Sequence, residues 1–198
     1  MLVISSSEIW RVKCSIIKHY NRIASIYNIL YGHEQDQKMV KALRLLDFSP
    51  FDLVLDVGCG TGLLFKYIAN IADMVVGVDI AREPLKIARN AIRRFGLDRV
   101  LLVRADADFL PFKNGVFSKI FAITLLQNMP NPILTLSEIT RVAKDEAAMV
   151  ITGLKKIFSR KYFSEILRKA GLSFILLNDG KILNAMSPFA IKVTYLKA

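Results

Sequence analysis

The chain has 198 residues, enough to bury one sizeable core and too few for a second complete domain. Hydrophobic residues make up 53% and charged residues 23%, which excludes a disordered chain. Lys, Arg, Asp or Asn interrupts every apolar run before the roughly 18 residues that a membrane span needs.

Lys and Arg outnumber Asp and Glu by 28 to 17, a formal charge of +11, and the pI is near 9.8. Such a surface favours polyanions at low salt, so RNA is one partner the charge allows without naming it. A mean hydropathy of +0.37 points to apolar surface covered by an activating subunit or by a second copy in a homo-oligomer. Cys14 and Cys59 stand far apart, and His19 and His33 are the only histidines. Neither a disulfide framework nor a metal site is expected from them. Glu8, Arg11, Lys13 and Lys18 break the apolar stretch that a secretion signal requires, so cytoplasmic residence is expected.

In chain order, apolar residues recur at helical spacing over 12–46: Ile16, Tyr20, Ile23 and Tyr27, then Met39, Ala42, Leu43 and Leu46. They predict two helices, the second ended by Phe48-Ser49-Pro50. Leu53-Val54-Leu55-Asp56-Val57 predicts a strand buried on both faces of a parallel sheet. A helix over 61–70 and a strand over 74–78 ending at Asp79 follow. Next come a helix over 83–95, strands over 100–104 and 119–125, a helix over 132–143 and a strand over 147–152. Past Gly153 stand a basic helix over 159–170 with Gly171 at its end, and strands over 172–177 and 189–196 flanking the turn Asn178-Asp179-Gly180. The alternation predicts an α/β fold: a doubly wound, seven-stranded, mostly parallel sheet with N-terminal helices.

Asp56-Val57-Gly58-Cys59-Gly60-Thr61-Gly62 lies between a predicted strand and a helix, where glycines let the backbone turn sharply and approach a ligand. Asp79, at the end of the next strand, can accept both hydroxyl hydrogens of a ribose, or it can cap the following helix. A dinucleotide-dependent oxidoreductase would carry a third glycine where Leu63 stands. Asp56 would also repel a pyrophosphate, whereas it favours a cationic amino group.

These residues resemble the class I S-adenosylmethionine-dependent methyltransferases, in the type 11 group that includes quinone-biosynthesis C-methyltransferases. The resemblance covers roughly 20–152 and implies S-adenosyl-L-methionine as cofactor. It implies that Asp56, Gly58, Cys59, Gly60, Thr61 and Gly62 cradle the methionine part, and that Asp79, with Ile80 beside it, holds the ribose. Ala105-Asp106-Ala107, followed by Leu110-Pro111-Phe112, looks like the family motif whose aspartate meets the adenine amino group, with Asp106 favoured over the nearby Asp108. Thr124 completes the implied set. Tyr20-Asn21-Arg22-Ile23-Ala24-Ser25-Ile26-Tyr27-Asn28 resembles the family's Tyr-Asp-x-x-Ala-x-x-Tyr-Asp lid helix, with Asn at both Asp positions. It implies Tyr27 as a cofactor contact, while Tyr20 reads as a packing residue. The expected organisation is one methyltransferase domain over 1–198: a helical lid over 1–50, the cofactor-binding core over 51–152, and a C-terminal helix and strands over 153–198.

Where relatives often carry histidines, this chain has Gln127 and Asn128, amides that can position a substrate but cannot take its proton. Neither the general base nor the methyl acceptor is evident; a small molecule, an RNA base and a protein all stay open. So does a catalytically silent cofactor-binding subunit of a methyltransferase complex. Arg82, Lys86, Arg89, Arg93 and Arg94, and later Lys155, Lys156, Arg160, Lys161, Arg168 and Lys169, form either solvated helix faces or an RNA-binding surface.

Overall fold

The computed structural model describes residues 5–178, 181–182 and 191–196. Chain entry is set by a capping box: the Ser5 side chain accepts from the Glu8 backbone N–H, and Glu8 Oε2 accepts from the Ser5 N–H at 2.9 Å. From there a single helix, α1 (Ser6–Leu43), runs for 38 residues, about 57 Å at 1.5 Å per residue. The two helices expected over 12–46 are therefore one. Gly32 lowers helix propensity but removes no hydrogen bond, and no proline interrupts the ladder. The Glu34–Lys38 ion pair and the contact between His33 and Gln37 at 2.9 Å span the expected break.

The remaining elements are β1 (Leu53–Val57), α2 (Phe65–Ile68), β2 (Met74–Asp79), α3 (Arg82–Phe95), β3 (Val100–Arg104), β4 (Phe117–Ala122), α4 (Pro132–Val142), β5 (Ala143–Leu154), α5 (Arg160–Lys169), β6 (Phe174–Asn178), β7 (Lys181–Ile182) and β8 (Ile191–Leu196). Strand order is β3-β2-β1-β4-β5-β8-β6-β7. Every pairing is parallel except that of β6 with β7. The described sheet thus has eight strands where seven were expected; the additional one is the two-residue β7. Residues 179–180 of the expected turn and 189–190 of the expected last strand lie outside the described residues. The helix expected over 61–70 contracts to Phe65–Ile68, because the glycine loop continues as hydrogen-bonded turns up to Leu64.

Alternate strand residues feed opposite faces, as a sheet covered on both sides requires. Leu55, Val57, Ile120 and Ile151 pack with Leu136 and Ile139 of α4 and Phe163 and Ile166 of α5. Val54, Val75, Phe121 and Val150 pack with Phe65, Ile68, Leu85, Ala88, Met39 and Ala42. Each fully buried Leu, Ile or Phe contributes about 1.5–3 kcal/mol. The second half of α1 is therefore anchored in a core, which leaves the first half to cross the carboxyl ends of the strands.

Candidate functional site

The glycine loop begins where β1 ends. Gly58 and Cys59 donate their N–H groups to Val78 O at 2.8 and 2.9 Å, which joins the loop to the end of β2. Gly60 has φ +54 and no heavy atom within 4 Å of where a Cβ would stand, so its backbone faces open space. Gly62 has φ +78, and a Cβ there would lie 2.6 Å from the Phe65 ring. These positions meet the glycine requirement differently: one leaves backbone uncovered, the other lets Phe65 close the core.

Asp79 closes the loop from the other side. Its Oδ2 accepts the Gly60 N–H at 2.9 Å and its Oδ1 accepts the Ala81 N–H at 2.8 Å. Burial raises its pKa, so holding the charge there requires donors. The helix that Asp79 was an alternative cap for, α3, is capped from elsewhere: Asn21 Oδ1 of α1 accepts the Glu83 N–H at 2.9 Å. Asn28 Oδ1 likewise accepts the Thr61 hydroxyl at 2.6 Å. Both Asn positions that depart from the family pattern thus serve as neutral acceptors tying α1 to the loop and to α3.

Above this lies a cavity roofed by Lys13, Ile16, Ile17, Tyr20, Ala24 and Tyr27 of α1 and floored by the strand ends. Of the residues expected at a site, Tyr27, Gly58, Gly60, Thr61, Asp79, Ile80, Asp106, Ala107, Thr124 and Asn128 line it. Asp56, Cys59, Gly62 and Gln127 do not. Asp56 is buried on β1 below the loop, where burial and the Asp79 charge push its carboxyl up to about 7. Cys59 is buried too, and burial drives its thiol well up, leaving it unreactive. Gly62 is taken up by Phe65, and the Gln127 amide turns back to donate to Thr124 O within the 3-10 turn Leu126–Asn128.

Tyr20, read from sequence as a packing residue, lines the cavity, and its hydroxyl accepts from Asn128 Nδ2 at 3.0 Å. Burial raises the pKa of Tyr20 and of Tyr27, so both phenols stay neutral. Thr124 adopts φ +60, rare for a β-branched residue. Its N–H donates to Thr152 Oγ1 at 2.7 Å and its hydroxyl donates to Gln35 Oε1 at 3.1 Å. Sequence reasoning missed Lys13, Ile16, Ile17, Leu125 and Met129 in the lining. The α1 members were visible as one helical stripe with Tyr20, Ala24 and Tyr27, but a lysine in such a stripe is ordinarily taken as solvent-facing.

Residues 55–151 match the family model described as a methyltransferase domain. An uncharacterized protein of Methanocaldococcus jannaschii is 32% identical over 176 residues, which cover 89% of this chain and 63% of that protein. A demethylmenaquinone methyltransferase of Tropheryma whipplei is 33% identical over 140 residues, 69% of this chain and 57% of its own. Residues 55–151 thus form a core of the class I S-adenosylmethionine-dependent methyltransferase kind. The solved structure of a SAM-dependent methyltransferase from Aquifex aeolicus superposes with a TM-score of 0.60 at 25% identity, covering 68% of this chain and 79% of that one. The chain spans less than two thirds of the length of those two curated relatives.

The cofactor of the family is S-adenosylmethionine, and the cavity suits it. A half-buried carboxylate, Asp79, stands at the wall, the Gly60 backbone lies open beside it, and a second carboxylate, Asp106, lies further along the same lining. Among the described residues no group of three or more His, Cys, Asp or Glu could hold a metal ion, and no helix is long and apolar enough to cross a membrane.

Proposed function

We propose that this protein transfers the methyl group of S-adenosylmethionine to a small, largely apolar acceptor bound beneath α1. The observation that carries this reading is the Asp79 carboxylate, held by the Gly60 and Ala81 N–H groups at the wall of a cavity roofed by a helix. In this reading Asp79 takes the ribose hydroxyls, Asp106 the adenine amino group, and Gly58, Gly60 and Thr61 the methionine part. Ile80, Ala107, Thr124 and Tyr27 shape the walls. Asp56 and Cys59 act from below, by charge and packing. Residues 1–50 serve as lid, 51–152 as cofactor core and 153–198 as the C-terminal part of a single domain.

When bound, the cofactor supplies a methyl on a cationic sulfur, already activated for in-line displacement. The chain's own contribution is then proximity, orientation and exclusion of water. Tyr20 and Asn128, bonded to each other in the lining, orient the acceptor; Ile16, Ile17, Leu125 and Met129 offer it an apolar surface. In this reading the lining carboxylates Asp79 and Asp106 are engaged by the cofactor, the phenols are neutral and Asn128 is an amide, which favours an acceptor that needs no general base from the chain. A cavity closed over by a helix also suits a small molecule better than a base held in a polymer.

The test is incubation with methyl-labelled S-adenosylmethionine and, separately, solvent-extracted small molecules, total RNA and total protein. Label is expected in the solvent-extracted fraction. Label in RNA or protein would overturn the acceptor class. Cofactor binding with no labelled fraction would favour the silent-subunit alternative.

A further inference from the structure

Beyond the glycine loop, the strongest polar feature is a buried cluster at the other end of the cavity. Lys13 Nζ lies 2.8 and 2.6 Å from the two Asp106 oxygens and 2.5 Å from Asp108 Oδ2. The remaining Asp108 oxygen accepts the Thr135 hydroxyl of α4, and the Asp108 N–H donates to Asp106 Oδ1 at 3.0 Å. Phe109 covers the ammonium from outside, its ring centre 5.8 Å away. Lys13 is only 5% exposed and Asp108 1%. A lysine drawn this far from water is tolerable only because carboxylate oxygens surround its ammonium, and removing a partner leaves a buried charge uncompensated.

The contacts of the cluster divide in a telling way. Asp106 Oδ1 receives both Lys13 and the Asp108 N–H, whereas Oδ2 receives Lys13 alone. A carboxylate oxygen has capacity for a second donor, so Oδ2 keeps one lone pair for a group in the cavity. An exocyclic amino group can use it; a carbonyl in the same place would face a negative oxygen. Lys13 also stands seven residues before Tyr20 on the roof stripe of α1, so the same ammonium ties the first half of that helix, held to α3 at Asn21, also to the loop after β3 and, through Asp108 and Thr135, to α4.

We propose that Lys13 is a positioning residue of the cofactor site: it fixes the Asp106 carboxylate to read an amino rather than an oxo group on the nucleobase, and it clamps the first half of α1 over the cavity. The nucleobase part rests on the reading of Asp106 given above; the clamp does not. The same cation performs both tasks, so loss of the lysine charge couples lid opening to loss of base discrimination.

The experiment uses the full chain as wild type, K13Q, K13R and D108N. In ligand-free protein, hydrogen exchange at the amides of residues 6–20 is expected to quicken at least tenfold in K13Q and D108N, with β1 and β4 unchanged and K13R close to wild type. In stopped-flow binding, K13Q is expected to release S-adenosylhomocysteine at least tenfold faster. Its preference for S-adenosylhomocysteine over S-inosylhomocysteine should fall by a similar factor, with recovery in K13R. Unchanged exchange in α1 would overturn the clamp. Unchanged discrimination would overturn the positioning role, since a merely structural lysine would alter stability and not the choice of base. Failure of wild type to bind S-adenosylhomocysteine would instead sink the cofactor-site reading, and the exchange measurement would still decide the clamp. If K13Q does not fold, D108N carries the exchange measurement.

Discussion

Asp79→Ala separates binding from folding more cleanly than any other change in this site. The carboxylate makes two backbone contacts, to Gly60 N at 2.9 Å and Ala81 N at 2.8 Å, and has further lone pairs facing the cavity. A ribose diol would offer it two hydroxyl donors, each charge-assisted bond contributing about 1.5–3 kcal/mol. Water entering the space left by the carboxylate restores part of that, so the net loss should be roughly 1.5–3 kcal/mol, about one to two decades in Kd. Stability moves less, because the variant trades two unpaired N–H groups against relief of a half-buried charge whose desolvation raises its pKa. Calorimetric titration with S-adenosylmethionine and S-adenosylhomocysteine, with NADH as control, measures the effect. A Kd within twofold of wild type, in a protein that still melts cooperatively near the wild-type Tm, would refute the assignment of Asp79 to the ribose.

Three further expectations follow from the geometry. Asp56, pushed up to about 7, keeps its proton in the folded chain between about pH 4 and 7 while the unfolded chain has released it; the folded pKa is raised, so stability falls as pH rises through that window and is flat above it. The span is worth roughly 4 kcal/mol, and Asp56→Asn should remove it; urea titrations giving parallel pH profiles for variant and wild type would contradict this. Asn21→Ala should cost about 1 kcal/mol through loss of the α3 cap, whereas Asn21→Asp, an anion at the helix N-terminus, should cost little or nothing; thermal melts in which the alanine variant is no less stable would show that the contact contributes nothing. Gly62→Ala should destabilise by about 2–5 kcal/mol, combining left-handed strain with overpacking against Phe65, and an unchanged Tm would rule that out.

Much of this was legible from the chain. β1 and β2 with Asp79, the glycine loop between them, β3, α4 and the basic α5 stand within a few residues of where hydrophobic period and turn chemistry put them. These are local signals: a strand must be apolar to be buried, and a loop approached closely by other groups must be glycine. Harder to read was continuity, as with α1, where two separated apolar stripes suggest two helices although pairs within the helix, Glu34–Lys38 and His33–Gln37, span the gap. Gln127 and Asn128 are adjacent amides that both donate to Thr124 O, yet of the two the 3-10 turn puts only Asn128 in the cavity lining, where it also donates to the Tyr20 hydroxyl.

Sequence by itself determined the order of strands and helices, the glycine loop and the acidic residue after it, because each depends on neighbours a few positions away. Tertiary structure alone decided that Lys13 meets Asp106 and Asp108 across more than ninety positions, that Tyr20 faces the cavity, and that Asp56 lies beneath it. Such pairings are fixed by where α1 crosses the sheet, and that crossing is a sum over the whole core which no local pattern encodes.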